Sequence, residues 1–382
     1  MATARQIPAL DGLRAIACLA VFGVHWQQMT KFTGNAGPFN LKLLLENGNT
    51  GVCLFFMLSG FLLALPLWSG ELAHTTISPR WAGRYALRRM TRILPAYYIC
   101  LTALILMGRA SGPVDIALHY AMLHNLHEGS IYSISDPFWT LAVQAQFYAV
   151  LPVLLLLLSP LASRPRLSFF LLIAAAIGAF LAHQGVMNVF RPAPNQYVVS
   201  HSLLAHLPHF LLGMSAAAAY VVLYHPAGSH LGRAMVSEPL FWASVAAIVF
   251  ILSVPSLDAW LRIPQVSPQA IEDASMIGRY NFPYVPILLA IVILTAPGTV
   301  IARQLLDLKP VRWLGAISFG MYVYHLPCLS LVKKWLEKSG ESIAQNPWPL
   351  AMYGLLLALA VSLASFVLIE RPLWNWSRRR TI

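Results

Sequence analysis

The first candidates for chemistry are an arginine and a histidine in the opening apolar segment of the chain. Arg14 and His25 are 11 residues apart. In an α-helix this spacing is close to three whole turns and a rise of about 16 Å, so both side chains would project from one stripe. A histidine can accept a hydroxyl proton near neutral pH, and a guanidinium can hold a phosphate or a developing oxyanion. Taken singly, Arg14 could instead be an anchor paired with Asp11, and His25 a polar bridge between helices.

A second candidate is a dense arginine cluster that precedes the third apolar segment. Its five members are Arg80, Arg84, Arg88, Arg89 and Arg92. Arg92 follows Arg88 and Arg89 at i,i+4 and i,i+3 spacing, which places them on neighbouring helical positions. This density could hold a polyphosphate, or it could serve membrane insertion and attraction to anionic lipid. Nucleic acid is not an expected partner, because no aromatic binding motif is interleaved with the cations.

Polar side chains also follow one helical face in two later apolar segments. The two sets are Ser318, Tyr322 and His325, and Thr140, Gln144 and Tyr148 with Trp139 and Gln146 beside them. Such groups could line a polar cavity, together with Asp11, and orient a sugar or a pantetheine chain. They could equally form hydrogen-bonded seams between helices.

Histidine and cysteine spacing does not indicate a metal site. His201, His206 and His209 lie close in sequence, but no carboxylate or cysteine accompanies them in a usual zinc pattern. The four cysteines, Cys18, Cys53, Cys100 and Cys328, fall inside apolar runs without CxxC spacing. We therefore expect buried packing thiols, and no metal.

The elements that position these residues are predicted to be membrane helices. The 382-residue chain is 58% hydrophobic and only 10% charged, against roughly 25% charged residues in a soluble domain. This composition excludes a soluble enzyme. Backbone amides cannot stay unpaired in hydrocarbon, so each long apolar run predicts a helix. We predict an all-α polytopic membrane helix bundle of about ten transmembrane helices, at 10–29, 49–68, 92–108, 137–159, 167–184, 201–224, 238–256, 281–300, 313–333 and 348–368.

Charge predicts the orientation of these helices. With the N-terminus in the cytoplasm, the inner segments hold 16 cations and four carboxylates, and the outer segments hold nine of each. The net charge of +12 then lies on one side, as the positive-inside rule expects, and both termini are cytoplasmic. The longest outer loops, 109–136 and 257–280, are short for a separate domain. The first of them is predicted to contain an amphipathic helix, VDIALHYAMLHNLH, at the outer surface.

Six segments in this order resemble the acyltransferase-3 family of integral membrane acyltransferases. They are ALDGLRAIA followed by His25, GVCLFFMLSGFLL, RRMTRILPAYY, WTLAVQAQFY, SFGMYVYHLP and IERP. The family typically moves acetyl or other short acyl groups from coenzyme A to sugar hydroxyls. The resemblance implies His25 as catalytic base with help from Arg14. It also implies a coenzyme A side formed by Arg14, Arg89, Arg92 and the adjacent Arg88, and a structural role for Glu370 and Arg371.

The sequence departs from the family pattern at two positions. Cys53 stands where an aspartate is common, and Gln144 stands where a glutamate is usual. Gln144 cannot act as a base, so either His25 works alone or the family's glutamate is structural. Because the chain stops soon after IERP, we expect a single transmembrane domain over 1–382 without a fused soluble domain.

The resemblance implies an O-acyltransferase of the bacterial inner membrane, working in contact with membrane lipid and compatible with a homo-oligomer. Acetyl-CoA or another cytosolic acyl-CoA would be the donor, and a glycan or lipid-linked sugar the acceptor. Two alternatives remain open. One is acylation of a diffusible small molecule such as a macrolide, and the other is an acyl-group transporter without transfer chemistry. The broken helices and paired repeats typical of transporters are not conspicuous in the sequence.

Overall fold

A computed structural model describes residues 7–72, 77–189, 196–224, 230–253 and 283–380. These residues are almost entirely helical, apart from one short antiparallel pair of strands, Asn35–Ala36 and Phe39–Asn40. The helices in chain order are α1 (Pro8–Thr30), α2 (Leu41–Glu46), α3 (Thr50–Trp68), α4 (Pro79–Leu106), α5 (Pro113–Tyr120), α6 (Phe138–Leu158), α7 (Pro165–Val189), α8 (Gln196–Ser200), α9 (Leu203–Leu223), α10 (His230–Ser253), α11 (Tyr284–Thr295), α12 (Ile301–Leu306), α13 (Lys309–Lys338), α14 (Trp348–Ser365) and α15 (Arg371–Arg380). A π-helical turn, Phe366–Glu370, joins α14 to α15. The all-α prediction is confirmed.

Nine helical stretches of the described chain are long and apolar enough to cross a membrane. Each overlaps one of the ten predicted spans. The remaining prediction, 281–300, contains α11, which is apolar but only 12 residues long before a short 3₁₀ turn extends it to Gly298. The protein is therefore a polytopic membrane helix bundle. The predicted outer loop 257–280 lies outside the described residues.

Helix α4 is much longer than the predicted span 92–108. It begins 13 residues earlier, at Pro79, because Ser78 caps it by accepting a hydrogen bond from the Trp81 backbone N–H at 3.3 Å. Proline at the first helical position has the backbone torsion that a helix needs. The predicted span 92–108 therefore corresponds to the C-terminal half of α4, and the arginine cluster forms its N-terminal half, in agreement with the helical spacing of the arginines.

The outer segment 109–136 also differs from its prediction. Helix α5 ends at Tyr120, and Met122 adopts a left-handed backbone conformation with φ 56° before a 3₁₀ turn at His124–Leu126. Asp115 and His119 are buried. A short helix is therefore present in this segment as predicted, but it covers only the first half of VDIALHYAMLHNLH, and its side chains Asp115 and His119 turn inward.

The chain divides into two compact units. Of the described residues, unit 1 comprises 7–72, 157–188, 204–224, 230–253 and 283–316, and it contains α1 to α3, most of α7 and α9, α10 to α12 and the start of α13. Unit 2 comprises 77–156, 189, 196–203 and 317–380, and it contains α4, α5, most of α6, α8, most of α13, α14 and α15.

Helices in unit 1 approach each other at glycines. A Cβ at Gly51 of α3 would overlap the carbonyl oxygen of Ala17 on α1, and a Cβ at Gly213 of α9 would overlap that of Met57 on α3. Equivalent approaches in unit 1 are Gly48 on Ala20, Gly60 on Phe210 and Gly315 on Asp11. Backbone contact of this kind allows little sliding, so α1 and the residues it carries are held firmly.

Polar side chains form several links between the helices of unit 2. The Thr140 hydroxyl of α6 donates to the Tyr322 hydroxyl of α13 at 2.7 Å. Tyr324 of α13 lies 3.2 Å from the Ser365 hydroxyl, which in turn donates to the buried Glu370 carboxylate at 3.0 Å. These bonds fix the neighbouring helices by direction as well as by distance.

Candidate functional site

Arg14 is paired with Asp11 on α1. The Nη1 atom of Arg14 lies 3.3 Å from the Oδ1 atom of Asp11, the i,i+3 contact that the sequence left open as an alternative. The guanidinium charge is therefore shared with a carboxylate within the same helix. A small residue is required beside this pair, because the Asp11 backbone carbonyl packs against Gly315 of α13.

His25 lies on the same helix and is only 8% exposed. Its Nδ1 atom is 2.9 Å from the side-chain oxygen of Gln28. An amide oxygen only accepts hydrogen bonds, so Nδ1 carries a proton, and in the neutral form of the ring the lone pair lies on Nε2. The same turn is tied to α2 by Gln27, whose amide donates to Glu46 at 3.2 Å. This tautomer is the one that a general base acting through Nε2 needs.

In unit 2, two adjacent arginines of the cluster, Arg88 and Arg89, have different environments. The Arg88 side chain is exposed, whereas the Nε atom of Arg89 is enclosed and makes no hydrogen bond within the described chain. The Arg89 guanidinium lies 5.8 Å from the centre of the Tyr85 ring, one helical turn earlier. The Tyr85 hydroxyl is also enclosed and has no hydrogen-bond partner among the described residues. Buried donors without protein acceptors are unusual, so these two groups are candidates for contact with a ligand.

The groups nearest to Arg89 are phenolic or cationic. Tyr148, Arg92, Tyr85 and Arg88 act on it electrostatically, and none of these is a carboxylate. The Tyr148 hydroxyl accepts a hydrogen bond from the Gln144 amide at 2.7 Å, which leaves the phenolic proton to be donated elsewhere. An anion with several acceptor oxygens would satisfy these donors.

Arg92 has a different environment from Arg89. It lies within electrostatic range of Glu370, the carboxylate that Ser365 holds in the π-helical turn. Glu370 is buried and the adjacent Arg371 is exposed. Arg92 therefore has an acidic neighbour within unit 2.

The predicted polar stripe of α6, Thr140, Gln144 and Tyr148, has different hydrogen-bond partners along its length. Thr140 bonds Tyr322, and Gln144 bonds Tyr148 beside Arg89. Gln146 instead donates to Asn125 at 2.7 Å. Trp139 packs edge-on against the His201 ring, with the ring centres 4.6 Å apart. These residues thus serve three separate polar clusters.

The predicted stripe of α13 includes an interhelical seam. Tyr322 bonds Thr140, which is the second of the two alternatives left open for this face. His325 is 1% exposed and directs Nδ1 to the backbone oxygen of Tyr322 at 2.7 Å. Ser318 is buried on the same helix.

A buried acidic and imidazole cluster lies in the segment 109–136 and was not predicted as functional. Asp115 accepts hydrogen bonds from Ser111 N–H and Ser133 Oγ. Burial opposes ionisation of this carboxyl, but the hydrogen bonds outweigh it and lower its pKa. The rings of His119 and His124 stack at 4.0 Å. Burial lowers the pKa of both, that of His124 to about 3 with a further contribution from His119, and both rings are therefore neutral.

Sequence reasoning also missed Tyr85, Tyr132 and His201 as members of polar sites. The i,i+4 spacing of Tyr85 and Arg89 could have indicated the first.

His201 bonds the Tyr132 hydroxyl rather than joining His206 and His209 in a metal site. Within the described ranges, no three His, Cys, Asp or Glu side chains are grouped to hold a metal ion. All four cysteines are buried, as expected.

Comparisons with known proteins place these observations in context. A family model for an acyltransferase domain matches residues 7–367. The peptidoglycan O-acetyltransferase OatA of Listeria monocytogenes is 23% identical over 97% of this chain, which covers 56% of that protein.

Two further relatives cover nearly the whole chain. The putative peptidoglycan O-acetyltransferase YrhL of Bacillus subtilis is 24% identical over 97% of this chain and 55% of its own length. The putative membrane-bound transacylase BcsY of Komagataeibacter xylinus is 26% identical over 98% of this chain and 84% of its own length. The chain thus spans little more than half the length of the first two relatives. No solved structure matches it.

Proposed function

Because the chain belongs to the acyltransferase-3 family of membrane acyltransferases, we propose that it transfers an acetyl or short acyl group to a hydroxyl of a glycan or lipid-linked sugar. The observation that carries this proposal is the family match over residues 7–367, which includes both α1 and α4. Two of the relatives are named as peptidoglycan O-acetyltransferases and a third as a transacylase, which supports an acetyl group and a polysaccharide acceptor. The excess of cations on the predicted inner segments supports the bacterial inner membrane as the location.

We further propose acyl-CoA as the donor, with its phosphates bound by Arg89. The enclosed Nε of Arg89 and the hydroxyl of Tyr85 have no acceptor among the residues that the structure describes, and phosphate oxygens would supply one for each. Tyr148, with its oxygen already bonded by Gln144, would donate a third hydrogen bond. Arg92 adds positive charge one turn further along α4, although Glu370 offsets part of it. Arg88, which is exposed, would contribute long-range attraction rather than a fitted contact.

His25 is proposed as the general base. Its Nε2 would take the proton of the acceptor hydroxyl as the oxygen attacks the thioester carbonyl. The carbon–sulfur bond then breaks, and the proton passes to the departing thiolate, so that coenzyme A leaves as the thiol and the imidazole returns to its neutral form. The Gln28 oxygen supports this role by holding the proton on Nδ1. Arg14, oriented by Asp11, would stabilise negative charge on a phosphate or on the developing oxyanion.

The proposal is tested with the purified full chain in proteoliposomes supplied with acetyl-labelled acetyl-CoA and glycan fragments prepared from peptidoglycan. We expect label in the glycan and one equivalent of free coenzyme A thiol. His25→Ala should lower the transfer rate about 100-fold or more, the usual contribution of a general base. His183→Ala, which removes another buried histidine of a membrane helix, is the matched control and should retain transfer.

Each alternative has its own signature in this assay. Label that crosses the membrane without leaving coenzyme A would indicate a transporter. Label in an added macrolide but not in glycans would indicate a small-molecule acyltransferase. Undiminished transfer by His25→Ala would remove His25 from the mechanism.

A further inference from the structure

Tyr132 is an exposed aromatic residue that a buried network holds in one orientation. Its side chain belongs to the outer segment between α5 and α6 and is 40% exposed. Its hydroxyl is hydrogen-bonded to Nε2 of His201, which is only 3% exposed, and the two rings are perpendicular. Burial of the hydroxyl and the nearby Asp136 raise the pKa of Tyr132, so the phenol stays protonated and donates this hydrogen bond.

The contact of the second ring nitrogen of His201 shows which nitrogen carries the proton. Nδ1 lies 2.7 Å from the backbone oxygen of Tyr197. Because a carbonyl only accepts, Nδ1 carries the proton and Nε2 of the neutral ring accepts from Tyr132. The Trp139 ring also packs at right angles to the imidazole, with the ring centres 4.6 Å apart. The Tyr132 ring is thus fixed through its hydroxyl while much of its surface remains open.

The side-chain amides of Asn125 and Gln146 hold His201 in place. Asn125 donates to the backbone oxygen of His201 at 3.0 Å, and Gln146 donates to the side-chain oxygen of Asn125 at 2.7 Å. Asn125 and His201 are both buried, and Gln146 is half-buried. Fixing a side chain costs conformational entropy, so a buried network of this extent ending on one exposed ring indicates recognition rather than packing.

The chemistry next to Tyr132 indicates what is recognised. Asp136 is exposed four residues further on and lies within electrostatic range of the Tyr132 hydroxyl. An aromatic ring offers an apolar face, and a carboxylate offers acceptors for hydroxyl groups. A pyranose presents both complements, since its C–H groups form an apolar face and its hydroxyls lie around the rim.

We propose that Tyr132 and Asp136 form a recognition site for a pyranose ring of the acceptor glycan, with His201 and Asn125 as positioning residues. This inference rests on the proposed function, because it names where the acceptor of that reaction is held. The positive-inside distribution predicts that this segment faces the outside, where cell-wall glycans lie.

The test measures the KM for peptidoglycan-derived glycan fragments and the KM for acetyl-CoA on the same full-length variants. Tyr132→Ala should raise the glycan KM about 3- to 10-fold through loss of the aromatic face. Asp136→Asn should raise it to a similar extent, since it removes charge-assisted acceptors. Tyr132→Phe keeps the face and should change it less than Tyr132→Ala. The KM for acetyl-CoA should stay constant throughout.

Tyr120→Ala is the matched control, because Tyr120 is 39% exposed but bonds Thr102 of α4 instead of the buried network. Its glycan KM should remain at the wild-type value. His201→Phe should raise the glycan KM in the wild-type background and add nothing in the Tyr132→Ala background, which separates positioning from general destabilisation.

A wild-type glycan KM in Tyr132→Ala, or equal effects of Tyr120→Ala and Tyr132→Ala, would overturn the inference. A parallel rise in the KM for acetyl-CoA would also overturn it. If the wild-type protein transfers acetyl to no glycan, the proposed function itself is wrong. The two failures are therefore distinguishable.

Discussion

The two units of this protein hold their helices together by different means. In unit 1 the helices meet backbone against backbone, as at Gly51 and Gly213, where a Cβ would collide with a carbonyl oxygen. In unit 2 the described helices are joined through side chains such as Thr140 and Tyr322. Close backbone packing gives a fixed support, whereas side-chain bonds bring polar groups into the interior.

The two units also differ in how the charges of their arginines are balanced. Arg14 of unit 1 forms an ion pair with Asp11, so its charge is largely balanced within α1. Arg89 of unit 2 is surrounded by phenolic and cationic groups, and its enclosed Nε has no acceptor within the described chain. Under the proposed mechanism, unit 1 carries the base, His25, and unit 2 binds the anionic donor.

Breaking the backbone contacts of unit 1 should have the largest effect on stability. Gly213→Ala places a methyl group against the Met57 carbonyl and should lower the free energy of unfolding by about 3 kcal/mol. The measurement is the denaturation midpoint in detergent. Gly178→Ala, on an open face of α7, is the control and should be neutral or stabilising by about 0.5–1 kcal/mol. Equal stability of the two variants would contradict the packing argument.

The unbalanced charge of unit 2 predicts a large effect on ligand affinity. Arg89→Ala should weaken acetyl-CoA binding about 10- to 100-fold, the range for a lost charge-assisted contact. Tyr85→Phe removes only one donor and should weaken binding less. The measurement is equilibrium binding of labelled acetyl-CoA. Arg84→Ala, on an exposed position of the same helix, should bind nearly as the wild type does. An Arg84→Ala loss as large as that of Arg89→Ala would mean that only general positive charge is sensed.

The neutral histidine stack of unit 2 predicts a pH-dependent stability. His124 has a pKa of about 3 in the folded protein against 6.5 in the unfolded chain, so the unfolded chain binds more protons between these values. Stability is therefore full above pH 6.5 and falls as the pH drops, by about 1.4 kcal/mol per pH unit at most.

His124→Phe should keep the ring stack and reduce this loss. The measurement is the unfolding midpoint at pH 7.5 and pH 5.5 for the wild type, His124→Phe and the exposed control His127→Phe. If all three lose the same stability on acidification, His124 does not titrate as the structure indicates.

The hydrogen bond between Thr140 and Tyr322 in unit 2 predicts a smaller effect on stability. Tyr322→Phe removes the hydroxyl that accepts the hydrogen bond from Thr140. This change should lower the free energy of unfolding by about 1 kcal/mol. Adding Thr140→Val removes the other partner, so the double variant should be more stable than the sum of the two single effects predicts. Strict additivity would show that this bond does not join the helices.

The membrane architecture was predictable because hydropathy and backbone hydrogen bonding leave few alternatives. The start of α4 was not, because arginines reduce hydropathy even where Ser78 and Pro79 begin a helix. The stripe of Thr140, Gln144 and Tyr148 was recognised, but helical spacing gives only the direction of a side chain. It does not identify the neighbour that the side chain meets.

In the candidate site, too, spacing along a helix was predictable but contacts between helices were not. The Arg14–His25 spacing on one helix was predictable, since 11 residues are nearly three turns. The Arg14–Asp11 pair was foreseen as an alternative. That the Arg89 Nε atom has no acceptor in the described part of the chain could not be read from sequence, because it depends on which side chains of α4 and α6 meet. The network behind Tyr132 depends on His201, which is 69 residues away.

The most direct test of the account is to measure acetyl-CoA affinity and acetyl transfer on the same preparation of His25→Ala. We predict that binding stays within about two-fold of the wild type, while transfer to the glycan falls about 100-fold or more. Transfer at the wild-type rate would contradict the assignment of His25 as the base. A loss of acetyl-CoA binding that matches the loss of transfer would contradict the division between a unit that positions the base and a unit that binds the donor.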